Sequence, residues 1–597
     1  DCRVEDPPGG MLPVRSGRLV HMDRPARAAL TGEVTAENWS GDMILRTALD
    51  GRVRNQGVAR YRDLDGRHLQ PEGLGLFDSD GLWLAVHTNQ SRVRMVQAAR
   101  TRLHDGRSDG LHEYGRHTRM ESGYLAQDIA FKIRAGHPVR VEKIVAVYTS
   151  RDRAMSEPAE AARREAGEAP DFDDLRKSHA RAWARLWRRS RLSMTLADGA
   201  AAAATLRLHA FHVMQTASPH TVDLDAGLPS RGWTGEAYRG HVQWDELFVF
   251  PFLTFRLPEV TRALLMYRYR RLPAARRRAV ELGRSGALYP WQSAGDGSEQ
   301  TQAANLNPLS GRWMPDETWR QFHVNSAVAY NVWQYFQVTQ DWEFLFQYGA
   351  EMFLEIARFW AGAAELDPAR DRYVIRGVAG PDEFHTRMPG REAPGLDNNA
   401  YTNVMAAWVL DRAGDVLEAL PPGRRAELRA ALNLTDEEIA RWEAVGRRLY
   451  VPLRKDGIIE QFEGYDRLAR VDWNAYRKRY DDLQRMDLVL EAEGVDVNAT
   501  QAVKQADVLM LFYLFSREEL QRIFDRLGYG FSPDMIPRNI AHYQERTSHG
   551  STLSRLVYAW VLARANRPRA WHYFTYALRS DTEDIQGGTT PEGVHLG

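Results

Sequence analysis

Apolar and polar residues alternate along the first quarter of the chain. Ile129-Ala130-Phe131-Lys132-Ile133-Arg134 reads as a half-buried strand, because successive side chains of an extended backbone point to opposite faces. Ala135-Gly136-His137-Pro138 supplies a turn, and a β-branched run over 139–148 predicts the next strand. Similar short runs lie at 82–87 and 92–99, so residues 1–152 are expected to form an antiparallel β-sandwich. The period changes near residue 151. Over 153–200, Leu175, Trp183, Leu186 and Trp187 recur at helical spacing behind an N-cap at Asp171 or Asp173, which predicts a helical linker. From 201 to 597 the helical period dominates, as in Leu206, Ala210, Val213 and Met214, or Val328, Val332 and Tyr335, with further helices at 506–515 and 553–563. Long loops at 227–246, 283–320, 377–403 and 541–552 separate these helices. Many helices joined by elaborated loops fit an α/α barrel with its loops gathered over one end. No internal repeat is evident.

Length supports more than one domain, since 597 residues exceed what a single core usually organises. Lys plus Arg and Asp plus Glu each total 79, so neither a nucleic-acid nor a membrane partner is suggested. The single cysteine, Cys2, excludes an internal disulfide and a cysteine zinc cage, and points to a reducing, cytoplasmic compartment. The chain starts at Asp1 and stops at Gly597 without a tail signal, so the natural protein is expected to continue past both ends.

Candidate chemistry sits in the loops. Gly380-Pro381-Asp382-Glu383 fixes two carboxylates after a tight turn. A Glu there suits the general acid that must protonate a glycosidic oxygen, although an Asp-Glu pair after a turn is more often a helix cap. In 231–246, Arg239, Trp244 and Asp245 offer an aromatic platform and charged partners for sugar hydroxyls. Tyr289-Pro290-Trp291, followed by Asp296 and Glu299, has the same composition, and a buried aromatic turn would look alike. Lys504 opens an apolar helix, where a cation is unfavourable unless an anion sits beside it. Ser548-His549-Gly550-Ser551-Thr552 precedes another helix and forms either an anion nest or an ordinary N-cap.

Taken in order, these elements resemble glycoside hydrolase family 65, whose members include inverting disaccharide phosphorylases and some hydrolases. The resemblance runs through 231–245, Tyr267-Arg268-Tyr269, Tyr289-Pro290-Trp291, Gly380-Pro381-Asp382-Glu383, Asp397-Asn398-Asn399, Lys504-Gln505-Ala506-Asp507, 549–554 and a closing motif at 587–593. It implies an N-terminal β-sandwich, a helical linker and an (α/α)6 barrel, and makes a homodimer plausible. It also implies a small C-terminal β-domain, which is expected to be missing from these 597 residues.

The resemblance places the general acid at Glu383. It places glucose contacts at Trp244 and Asp245, with Arg239, Trp291, Asp382, Lys504 and Gln505 also bordering the substrate. It places phosphate contacts at His549, Ser551 and Thr552, alongside Lys504 and Gln505. Two departures stand out: an extra loop at 385–396, and Gly550 and Thr552 where Asp and Ser are commoner. The expected reaction is inverting cleavage of an α-glucosidic bond, by phosphorolysis with inorganic phosphate as co-substrate and no cofactor or metal. The alternative is an inverting hydrolase with Glu545 or Glu592 as base. The third reading is an inactive saccharide-binding protein.

Overall fold

The computed structural model describes every residue except 1, 6–8, 59–60, 62, 106–112, 191–199, 584 and 586–591. The chain divides into two compact units, Asp1–Arg191 and Leu192–Gly597.

The first unit is an antiparallel sandwich. Its larger sheet runs in the order Cys2–Glu5, Met11–Val20, Arg27–Thr35, Pro138–Thr149, Arg94–His104, Gly81–Thr88 and Leu69–Phe77. The smaller sheet is Gly41–Asp50, Tyr124–Ile133 and Glu113–Glu121. The alternation at Ile129, Phe131 and Ile133 turns these three side chains inward, where they meet Val34, Leu103, Val139 and Val141 of the larger sheet. Full burial of a side chain such as Phe131 contributes roughly 2–3 kcal/mol. Helices Pro158–Gly167 and Phe172–Ser190, expected as a connector, pack on this same unit: Ala159, Ala162 and Ala166 against Ala85, Val96, Ala98 and Ala146, and Phe172 and Leu175 against Ala29 and Ile144. Asp171 caps the second helix by accepting from Asp174 N–H at 2.9 Å.

The second unit is an α/α barrel of inner and outer helices. Inner helices Glu246–Arg256, His323–Thr339, Ala400–Ala419, Asp507–Leu514 and Thr552–Leu562 each pack on the next. Ala400–Ala419 shows why it lies inside: Tyr401, Val404, Met405, Ala406, Trp408 and Val409 cover its circumference with buried side chains. The outer helix Asp436–Arg448 buries only Trp442, Val445 and Gly446 and exposes a charged face.

The inner helices begin side by side, and this assembles the site. Trp244, His323 and Tyr401, at three successive helix starts, have ring centroids 4.8–6.5 Å apart. Asn399 and Asp507 join the third start to the fourth, and Val503 N–H donating to Arg546 O with Ser548 N–H donating to Val503 O ties the fourth to the fifth. Trp244 and Asp245, Lys504 and Gln505, and His549 and Ser551 immediately precede three of these N-termini, whose dipoles favour negative charge. Among the described residues, no helix is long and apolar enough to cross a membrane.

Candidate active site

Glu383 is held in a left-handed backbone conformation, φ 64°, which costs a non-glycine residue on the order of 1 kcal/mol. The surrounding network overdetermines that geometry. Asp382 N–H donates to Asp507 Oδ1 at 2.7 Å, and Lys504 N–H donates to Asp382 Oδ1 at 2.6 Å. His385 Nδ1 lies 2.5 Å from Asp382 Oδ2, while its Nε2 donates to the Thr500 carbonyl at 2.8 Å. Gln505 Nε2 donates to the Pro381 carbonyl at 2.5 Å. Gly380 is required here, because a Cβ would run into the Asp507 carboxylate and the Asn399 amide. Burial, reinforced by the nearby Asp382 charge, raises the Asp507 pKa well above the usual carboxylate range.

The Glu383 carboxylate itself stays in reach of a ligand, with its side chain 28% exposed. Lys504 Nζ donates to its Oε2 at 2.6 Å. Burial opposes charge on Lys504, but attraction from Glu383 and then Tyr238 outweighs it, and the ammonium pKa is raised. Asp316 also feels Glu383; burial is the largest influence and raises its pKa, although its carboxylate accepts from Thr318 and Asn305.

The loop expected as an anion nest stands against Lys504: a Cβ on Gly550 would lie 3.1 Å from Lys504 Cγ. Ser551 occupies the N-cap position of helix Thr552–Leu562 in extended conformation, yet its side chain makes no capping bond. Its hydroxyl and the first helical N–H groups are therefore suited to an anion. His549, at φ 60°, faces Ser554 Oγ through Nδ1 at 2.9 Å. Burial, followed by the Arg555 charge, lowers its pKa to about 3, so it serves near neutral pH as an uncharged imidazole rather than a cation.

Trp244 and Trp291 are each 4% exposed and pack with His323 and Tyr401, so they form a buried aromatic cluster instead of open ring faces. Asp245 is buried as well, accepting from Ser230 Oγ at 2.8 Å, and burial raises its pKa. Arg239 lies in a left-handed turn with Tyr238 and donates to the Gln300 carbonyl at 2.8 Å. Glu299 is occupied by the backbone, accepting from the N–H groups of Trp291, Gln292, Gln300 and Thr301. The loop after the acid is anchored by Asn498 Oδ1, which accepts from Thr386 and Arg387 N–H.

The two candidate bases differ in their surroundings. Glu545 is 76% exposed and shares a surface pocket with Arg470, Trp473, Asn474, Arg477 and Arg546. Glu592 is ion-paired to the buried Arg231 at 3.3 Å. Most of the closing motif, 587–591, lies outside the described residues; Glu592 and Gly593 adjoin the 231–235 turn.

Sequence reading missed His385 and Asp316. His385 is the one with a detectable signal, three residues beyond Asp382 in the densest polar loop.

Two family descriptions cover the chain: "Glycosyl hydrolase family 65, N-terminal domain" over residues 1–186 and "Glycosyl hydrolase family 65 central catalytic domain" over 207–597. An uncharacterized glycosyl hydrolase of Mycobacterium tuberculosis (strain H37Rv) is 50% identical over 596 residues, and this chain spans 44% of its length. Trehalose 6-phosphate phosphorylase of Lactococcus lactis is 34% identical over 569 residues, covering 95% of this chain and 70% of that one. Among solved structures, a putative kojibiose phosphorylase from the human microbiome matches with a TM-score of 0.80 at 21% identity, over 98% of this chain and 71% of its own, a likeness of fold.

Proposed function

Because this chain belongs to glycosyl hydrolase family 65, we propose that it cleaves an α-glucosidic bond by inverting phosphorolysis, releasing β-glucose 1-phosphate. The observation that carries this reading is Lys504, which contacts Glu383 at 2.6 Å on one side and borders the Gly550–Ser551 turn on the other. In this reaction Glu383 protonates the leaving oxygen as the glucosyl carbon develops oxocarbenium character. The carboxylate that forms on Glu383 is stabilised by the Lys504 ammonium. Phosphate, held by Ser551, the helix N-terminus and Lys504, attacks the opposite face and inverts the anomeric carbon. An inverting hydrolase would instead need a carboxylate base to activate water. Glu545 sits in an exposed pocket that contains neither Glu383 nor Lys504, which favours the phosphate reading.

The test is product analysis on α-linked glucose disaccharides with and without inorganic phosphate, trehalose 6-phosphate included because of the Lactococcus relative. Phosphate-dependent formation of β-glucose 1-phosphate, seen by phosphorus NMR, supports the proposal. Release of β-glucose at the same rate without phosphate sinks it.

A further inference from the structure

Arg485 lies outside the sequence motifs, yet the fold brings its neighbour to the loop that borders Lys504. Its neighbour Gln484 is fixed to the anion-nest loop and the helix that follows it: its carbonyl accepts from Ser548 Oγ at 2.9 Å, its Oε1 accepts from Arg555 Nη1 at 3.1 Å, and the bare Cα of Gly550 packs against its carbonyl. From there Arg485 stands in the electrostatic field of Glu383, Tyr238 and Lys504. Asp487 orients the guanidinium through two bonds, Nε to Oδ1 at 3.0 Å and Nη2 to Oδ2 at 2.7 Å. The Nη1 group donates to nothing among the described residues, and the side chain is 46% exposed.

Two cations placed together, one oriented by a carboxylate and one bonded to the general acid, are poorly explained by stability alone. Like charges near one another are unfavourable unless an anion lies with them. Acid catalysis adds a further consideration. Once Glu383 carries the proton it must transfer, Lys504 loses its counter-ion, and the local charge rises by one. A dianion would offset that charge, and the planar guanidinium is suited to two phosphoryl oxygens.

We propose that Arg485 is a substrate-binding residue which, with Lys504, grips a phosphoryl group in the active site. This rests on the family 65 reading of the site. The group belongs to one of two molecules: inorganic phosphate as nucleophile, or a leaving sugar that itself carries phosphate.

Isothermal titration of inorganic phosphate and of glucose 6-phosphate into the wild-type chain, Arg485→Gln and Arg485→Lys separates these sources. The expected result is a tenfold or greater loss of affinity for one probe in Arg485→Gln, partly restored by Arg485→Lys, with unchanged melting temperature. Loss confined to inorganic phosphate assigns Arg485 to the nucleophile; loss confined to glucose 6-phosphate assigns it to the leaving sugar. Asp487→Asn, which keeps the guanidinium and removes its counter-charge, should bind the same probe at least as tightly as wild type. Affinities for both probes within twofold of wild type in Arg485→Gln would overturn the proposal. Phosphate-independent turnover would end the phosphorolysis reading while leaving the glucose 6-phosphate result to stand or fall by itself.

Discussion

Lys504 holds adjacent carboxylates with two different groups, its backbone N–H on Asp382 Oδ1 and its ammonium on Glu383 Oε2, each at 2.6 Å. One residue thus fixes the loop that carries the acid and supplies the charge facing it. Glu383→Gln keeps the shape and removes the transferable proton. Turnover should fall about 10²–10⁴-fold, the usual worth of a positioned acid, with the melting temperature little changed. Single-turnover rates beside thermal denaturation test this; a rate within tenfold of wild type would remove Glu383 from the mechanism.

Gly380→Ala should be far more harmful to the fold than its size suggests. The new methyl meets the Asp507 carboxylate and Asn399 amide, both committed to the buried network under the acid. Overpacking with loss of a buried hydrogen bond is worth about 2–4 kcal/mol. Gly414→Ala is the control, since a Cβ there has nothing within 4 Å and the position lies inside helix Ala400–Ala419. It should be neutral or stabilising by up to about 1 kcal/mol. Equal denaturation midpoints for the two variants would contradict the packing described for Gly380.

Acidification should expose the buried His323. Burial lowers its pKa from 6.5 to about 3, and it bonds Gln321 Oε1 within the Trp244 cluster. Between those values the unfolded chain takes up a proton that the folded chain refuses. Its stabilising contribution is therefore complete above pH 6.5 and declines as pH falls toward 3, by up to about 1.4 kcal/mol per pH unit. Buried Asp245 and Asp507, with raised pKa, carry the opposite sign and lose stabilising effect as pH rises above the ordinary carboxylate value. Those terms are shared with a His323→Gln variant and cancel in the comparison. Chemical denaturation at pH 4, 5 and 6 should give a flatter pH dependence for the variant; parallel curves would refute the assignment.

Much of this architecture was readable from side-chain period. Ile129, Phe131 and Ile133 announce their inward face because a strand alternates, and Val328, Val332 and Tyr335 announce a buried helix face by their helical spacing. Glu383 was readable because Gly380-Pro381 restricts a turn just before two carboxylates. Exposure was not readable: Trp244 and Trp291 have the same local composition whether they stack on a sugar or fill a core, and the ring contacts that bury them come from helices far along the chain. Arg485 was invisible for a related reason. Its significance arises from Gln484 folding back onto Ser548 and Arg555, contacts that span 64 and 71 residues and leave no periodic trace.

Glu545 supplies the sharpest separation between the two chemistries. An inverting base must activate water across the sugar ring from the acid, with the two carboxyl groups roughly 6.5–9.5 Å apart. Glu545 instead follows helix Met535–Gln544, is 76% exposed, and has its carboxylate 3.7 Å from Arg546 in a pocket that contains neither Glu383 nor Lys504. Glu545→Gln should therefore keep turnover within about fivefold of wild type at saturating phosphate, because an exposed pair of this kind is worth at most about 1 kcal/mol. A hundredfold loss, together with β-glucose release that ignores phosphate in the parent protein, would make Glu545 the base and the protein a hydrolase. Retained phosphate-dependent turnover would leave Lys504 and the Ser551 turn as the groups that face the anomeric carbon, with phosphate itself as the nucleophile.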